Sequence, residues 1–362
     1  MVYAAYVHIP FCKHRCGYCD FATFEDQHDL IDSYVEVLCN EIRQYDNLGH
    51  IDGLKTIFFG GGTPSQLSIA HFKKIMDVLA VKSVDSLEEI TVEVNPDDAS
   101  FEFLKGLKDL GVNRISLGVQ SFDDEVLGVL DRQHVVSNVF EACEYLKKLE
   151  MNFSMDLIYG SPGETMKSWE NTVKQCVALD PTHISMYCLS IESGTPLGKL
   201  FSKGLLDGVD EDLAVEKYFL ADKILANHGY EWYEISNWSK PGFESKHNLA
   251  YWQLKPYLGL GLSAHGFINN ERYKNSVSLT RYIEDFQVSK NTYEKLSADD
   301  LEVEKVVLGL RLSGGVDKNS IPNQGQLQLL LDEKILRINS LGRIVIADSS
   351  RLVAHDIISR LT

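Results

Sequence analysis

Three cysteines stand within eight residues in the stretch Tyr6-Val-His-Ile-Pro-Phe-Cys12-Lys-His-Arg-Cys16-Gly-Tyr-Cys19-Asp-Phe21. Soft thiolates this closely spaced suit an iron-sulfur cubane. Three ligands for four irons leave one iron without a protein thiolate, open to a chelating small molecule. S-adenosylmethionine (SAM) offers an amino and a carboxylate group for that position. A zinc knuckle is the plainer alternative, with His8 or His14 closing the tetrahedron.

Further groups recur at places where loops should gather. Gly60-Gly61-Gly62-Thr63-Pro64 follows the apolar run Thr56-Ile-Phe-Phe59, and glycines without Cβ atoms let a backbone approach a ligand. A tight turn is the competing explanation. Glu93, Gln120, Arg132 and Asp156 each sit at or just past such a run. Taken singly, each is a helix cap, an ion-pair partner or a strand-end polar residue. Ser245-Lys-His247-Asn-Leu-Ala-Tyr251-Trp252 puts an imidazole beside two flat rings. A heme iron would accept that set, and so would an ordinary core histidine packed on aromatics. His265, after a glycine-rich run, either lines the same cavity or caps a turn. Lys240 and Lys246 lie near enough in sequence to offer partners to propionates.

Positioning these residues falls to a regular alternation. Runs rich in β-branched and aromatic residues at 3–9, 54–59, 89–94, 113–119, 152–158 and 182–188 predict buried strands. Helical spacing fills 30–45, 69–79, 101–110, 138–149 and 165–179. Six such units predict an α/β fold, a partial (β/α)6 barrel with chemistry at the strands' C-terminal ends. Beyond about Tyr230 the alternation fails, which predicts a different layer or bridge over 233–297 following the barrel of 1–232. Residues 298–362 predict a small helical, winged-helix-like end domain. Its helices fall at 301–312 and 324–331, its hairpin at 336–338 and 344–346, and a last helix runs from Arg351.

The chain has 362 residues, 44% of them hydrophobic, and a formal charge of -17. That charge argues against nucleic acid as a partner, because phosphate binding needs clustered Lys and Arg. No apolar run approaches a membrane span and no signal region precedes the cysteines, so a cytoplasmic location is expected, with peripheral membrane association left open. Cys39, Cys143, Cys176 and Cys188 are scattered and read as small apolar core residues.

CxxxCxxC after the first strand of a β/α chain resembles the signature of the radical-SAM superfamily. Within it, the order and spacing of the other groups resemble the coproporphyrinogen-dehydrogenase-like branch along nearly the whole chain. The resemblance implies a 4Fe-4S cluster on Cys12, Cys16 and Cys19. It also implies SAM contacts from Tyr6, Gly61, Gly62, Thr63, Glu93, Gln120, Arg132 and Asp156. Two departures bear on activity. The decarboxylating members carry a longer N-terminal extension and a fourth cysteine in CxxxCxxCxC, and Phe21 stands at that fourth position here. The shorter CxxxCxYCDF form and the HNxxYW segment resemble the heme-chaperone members, which implies heme on His247 with Tyr251 and Trp252 beside it. The expected partners are then heme and a heme-acceptor protein. Oxidative decarboxylation of coproporphyrinogen III stands as the alternative function, and a zinc-stabilised interaction module as the lesser one.

Overall fold

The computed structural model of the protein describes residues 2–79, 87–287 and 291–362. Six strands lie side by side in chain order: β1 (Ala4–Ile9), β2 (Thr56–Gly61), β3 (Glu89–Val94), β4 (Arg114–Gln120), β5 (Asn152–Tyr159) and β6 (His183–Cys188). Every neighbouring pair is parallel. Helices make the crossovers: α1 (Ile31–Asn47), α2 (Ile69–Leu79), α3 (Phe101–Asp109), α4 (Asp124–Val129) with α5 (Val136–Lys148), and α6 (Met166–Ala178). The predicted β/α alternation is what forms.

Side chains alternate across a strand, and here the two faces differ in kind. Val7, Ile9, Ile57, Phe59, Ile90, Val92, Ile115, Leu117, Met155 and Ile184 pack outward into the core beneath the helices. The inner face carries Tyr6, His8, Thr56, Phe58, Thr91, Glu93, Arg114, Ser116, Ser154, Asp156 and His183, linked row by row across the sheet. Such polar lining is costly unless it meets a ligand or its own partners.

After β6 come α7 (Pro196–Ser202) and α8 (Glu211–Asn227). Of the two expectations for the following segment, a different layer or a bridge, the layer does not form. The segment continues the same sheet at both edges, giving twelve strands among the described residues. β7 (Glu231–Glu234) and β8 (Asn237–Ser239) make a hairpin, and β8 pairs antiparallel with β6. The chain then passes through α9 (Lys246–Trp252), under the N-terminal ends of β2 and β3, to the opposite edge. There β9 (Tyr257–Leu260) lies parallel to β1, followed outward by β10 (His265–Ile268) and β11 (Glu271–Lys274). After α10 (Leu279–Glu284), β12 (Asn291–Lys295) closes that edge. The sheet stays open, so the barrel is partial.

The C-terminal residues form α11 (Ala298–Gly309), α12 (Gln324–Asp332), the hairpin β13 (Leu336–Ile338) and β14 (Ile344–Ile346), and α13 (Ala354–Leu361). Val306, Leu310, Leu327, Leu330, Ile344, Ile358 and Leu361 give this unit a core of its own. The last α-helix begins at Ala354 rather than Arg351, because 348–353 make a tighter 3-10 turn. Arg351 instead reaches Asp222 on α8 at 3.0 Å and lies 4.0 Å over the Trp232 ring, fastening the unit to the barrel. Among the described residues no helix is long and apolar enough to cross a membrane.

One buried carboxylate holds the closing edge. Glu41 on α1, 2% exposed, accepts from the Gly261 N–H at 2.8 Å, the Asn275 amide at 2.8 Å and the Tyr282 hydroxyl at 2.6 Å. Glu41→Ala would strand all three donors, so urea unfolding should show a loss of about 3 kcal/mol or more. Glu41→Gln, which keeps an acceptor oxygen, should lose less.

Candidate functional site at the barrel mouth

The loop after β1 is folded back on itself by short-range hydrogen bonds. Phe24 N–H donates to Pro10 O at 2.8 Å, Cys12 N–H to Phe24 O at 3.0 Å and Cys19 N–H to Cys16 O at 3.0 Å. Arg15 Nη2 donates to the carbonyls of Cys19 and Phe21 at 3.1 and 3.2 Å. The three cysteines are free, and two of them face separate polar partners. Thr63 Oγ1 donates to Cys12 Sγ at 3.3 Å, and Arg132 Nη1 donates to Cys16 Sγ at 3.3 Å. Burial pushes the Cys12 thiol up to about 11, with the Thr63 bond pulling the other way. A bound iron reverses that balance, since a metal-coordinated thiol gives up its proton.

The histidines that would close a zinc tetrahedron are held by other groups. His8 Nε2 lies 3.0 Å from the Ala22 carbonyl, which can only accept, so Nε2 carries the proton and Nδ1 accepts from the Tyr6 hydroxyl at 3.0 Å. His14 lies between Glu25 at 3.3 Å and Asp131 at 2.9 Å. Among the described residues no three His, Cys, Asp or Glu side chains gather around one ion-sized point. A cubane makes no such demand, because each thiolate binds its own iron. The donor set fits a three-thiolate cluster.

The glycine run is no free turn. Gly62 N–H donates to Ile9 O at 2.8 Å and Thr63 N–H to Phe11 O at 2.9 Å, extending the β1–β2 pairing into the cysteine loop. A Cβ on Gly61, whose φ is +110°, would stand 2.3 Å from the His8 ring, and one on Gly62 would stand 2.7 Å from Ile9 O. Glu93 Oε2 accepts the Gly61 N–H at 3.1 Å. Burial, then the nearby Asp156 carboxylate, raises Glu93 to about 8. Burial also raises Asp156, against its bonds to Ser185 and to Ser116, the latter at 2.8 Å. Gln120 ends β4 at φ +63°, where the β4–β5 register shifts, a conformation uncommon for a residue with a side chain.

Arg132 also donates to Asn95 Oδ1 at 2.8 Å and Gly118 O at 2.9 Å. A Cβ at Gly118 would lie 3.1 Å from Gln120 Nε2 and 3.4 Å from the guanidinium. Asn95 and Gly118 were not singled out from the sequence. The signals for them were an Asn-Pro step directly after a strand and a lone glycine inside one. Thus Tyr6, Gly61, Gly62, Thr63, Glu93, Gln120, Arg132 and Asp156 share the lumen with the three cysteines. A cluster held there would supply one-electron chemistry to a bound sulfonium.

His247, Tyr251 and Trp252 lie elsewhere. They belong to α9 at the opposite end of the barrel, where His247 Nδ1 meets Thr56 Oγ1 at 2.9 Å. Thr56 is five residues before Gly61, roughly 16 Å down the strand at about 3.3 Å per residue. His247 is 1% exposed, its Nε2 engages the Tyr251 hydroxyl at 2.7 Å and its ring stacks on Phe58 at 5.2 Å. Burial, then Arg114, lowers it to about 3, so the ring is neutral. As placed, it offers an iron no free nitrogen. His265 is not beside it, since its Nδ1 meets the Tyr293 hydroxyl at 3.2 Å on the outer strands. Lys240 pairs with Asp180 at 2.6 Å and Lys246 with Glu88 at 2.9 Å, so both already have acidic partners.

Two outcomes test this geometry. Gly61→Ala should cut iron and sulfide incorporation or weaken SAM binding by roughly tenfold, given the overlap with His8. Gly314→Ala, whose Cβ would meet nothing within 4 Å, should do neither. Glu93 is raised above its unfolded range, so it should contribute most below about pH 4.5 and lose that contribution as pH rises through about 8. Unfolding free energies across pH 5 to 9 should therefore fall for wild type relative to Glu93→Gln, then level off.

The model of the Radical SAM superfamily matches residues 6–176. The Heme chaperone HemW of Bacillus subtilis is 41% identical over 323 residues, covering 87% of this chain and 85% of the relative. That of Lactococcus lactis is 36% identical, covering 99% of this chain and 96% of the relative. Among solved structures, the coproporphyrinogen III oxidase HemN of Escherichia coli superposes with a TM-score of 0.84 over 99% of this chain and 89% of that one, at 23% identity. That likeness establishes the fold. The extent and level of identity to the first two relatives establish the family, and the chain belongs to the heme chaperone HemW family of the radical SAM superfamily.

Proposed function

We propose that this protein binds heme and passes it to an acceptor protein, and that its barrel mouth holds a 4Fe-4S cluster on Cys12, Cys16 and Cys19. SAM takes the open iron, with Tyr6, Gly61, Gly62, Thr63, Glu93, Gln120, Arg132 and Asp156 around it. The observation that carries this reading is 41% identity, over 87% of the chain, to a heme chaperone. Phe21, 66% exposed where the decarboxylating members place a cysteine, points the same way. The work belongs to the cytoplasm and needs no nucleic acid, in keeping with a charge of -17.

His247 enters this reading as the axial ligand, by exchanging its Nε2 bond to Tyr251 for iron, with Tyr251 and Trp252 beside the macrocycle. Heme titration of anaerobically reconstituted protein tests it. Wild type should show a saturable Soret band, and His247→Ala should lose the imidazole-bound spectrum while keeping iron and sulfide. Tyr251→Phe removes the competing hydrogen bond, worth about 1 kcal/mol, and should tighten heme binding a few-fold. An unchanged heme spectrum and affinity in His247→Ala would assign His247 to the core alone.

A further inference from the structure

Arg114, the first residue of β4, is a buried cation that makes no ion pair among the described residues, although its charge reaches Glu93 and Asp156 and favours their ionised forms. Its side chain is 7% exposed, and among the described residues its one side-chain hydrogen bond is to Thr91 Oγ1, at a long 3.5 Å. A guanidinium carries five donors, and a buried one is normally paired. Lys217 and Arg351, the other buried cations among the described residues, obey that rule and meet Glu164 at 2.7 Å and Asp222 at 3.0 Å. No described carboxylate comes within 4.0 Å of Arg114. The acids sharing its face are turned to other donors, Glu93 to the Gly61 N–H and Asp156 to Ser116.

The register shows what surrounds this cation. Arg114 lies opposite Thr91, Thr91 opposite Phe58, and Phe58 opposite Tyr6, so one row of the lumen reads phenol, phenyl, hydroxyl, guanidinium. The Tyr6 and Phe58 rings lie 6.2 Å apart and within 25° of parallel, and both are partly exposed. A stack of aromatic rings, His247 on Phe58 and Phe58 beside Tyr6, therefore stands next to a buried positive charge that has no ion pair. SAM has no claim on that charge, since its carboxylate belongs at the open iron and Arg114 lies six residues down β4 from Gln120.

We propose that Arg114 binds a carboxylate of a flat conjugated ligand whose edge lies beside Phe58. Resting on the function proposed above, that ligand is heme and the carboxylate a propionate. The pairing is charge-assisted and desolvated, the setting in which guanidinium–carboxylate bonds are strongest. It also explains how a chain whose nearby surface lysines are paired holds a dianionic macrocycle.

The test compares heme with heme dimethyl ester, which keeps the ring and iron but lacks the carboxylates, on wild type, Arg114→Gln and Arg114→Lys, with iron content and thermal melting as controls of fold. Wild type should bind heme roughly 10- to 100-fold more tightly than the ester, and Arg114→Gln should lose that preference while binding the ester as wild type does. Arg114→Lys should retain part of it. Wild type binding heme and ester equally would overturn the assignment, whatever the variants do. So would an Arg114→Gln variant that keeps the preference, or that loses both ligands alike. Failure of wild type to bind heme at all is a different result, which overturns the chaperone reading and this inference with it.

Discussion

Everything at the barrel mouth depends on how closely the end of β2 can lie against β1 and the loop beyond it. The parallel pairing does not stop at the last strand residues, because Gly62 N–H reaches Ile9 O and Thr63 N–H reaches Phe11 O. Continuing the ladder this far leaves no room for a Cβ at Gly61 or Gly62, where His8 and Ile9 O already stand. Once the backbones are that close, Thr63 is delivered to Cys12 and the Gly61 N–H to Glu93. The same contact thus ties the cluster loop to the third strand, and no other residue type would permit it.

The sheet supports this arrangement by dividing its labour between faces. The outward face buries branched and aromatic side chains under the helices and supplies the hydrophobic stabilisation. The inner face is freed from that task and carries carboxyl, hydroxyl, imidazole and guanidinium groups, several displaced from their ordinary ionisation by burial. Clusters of displaced groups in a concave site mark function more often than stability. The (β/α) barrels whose interiors are packed with branched apolar residues make the opposite choice.

How much of this was legible follows from which signals are local. The strands and their crossover helices were readable because apolar runs and helical periodicity are properties of short windows. The α8 helix escaped, since Val215, Phe219, Leu220 and Ile224 interleave with its buried Ala214, Tyr218, Ala221 and Leu225 and blur the stripe. Short edge strands such as β8, with three residues, leave almost no period to detect. The cysteine trio and glycine run could be read because their chemistry lies in spacing. Arg114 could not, because what distinguishes it is a missing partner in space, and the lone glycine at 118 marks a close approach without saying to what. His247 was visible as an imidazole among rings, yet nothing in six residues tells which end of the barrel they occupy.

That end is set by Glu89, the first residue of β3. Its carboxylate accepts from Lys246 N–H at 2.9 Å, His247 N–H at 3.0 Å and Ser245 Oγ at 3.3 Å, so it caps the start of α9 as a side chain brought from another element. A negative group at a helix N-terminus satisfies donors that the helix leaves free and complements its dipole. The α9 helix thereby becomes a floor under the lumen, with the His247 ring laid on Phe58 and Phe58 near Tyr6. Tyr6 in turn bonds His8, whose ring fills the space beside Gly61. A continuous column of rings joins the floor to the mouth. Movement of His247 or Tyr251 would reach Phe58 and Tyr6 before the cysteine loop.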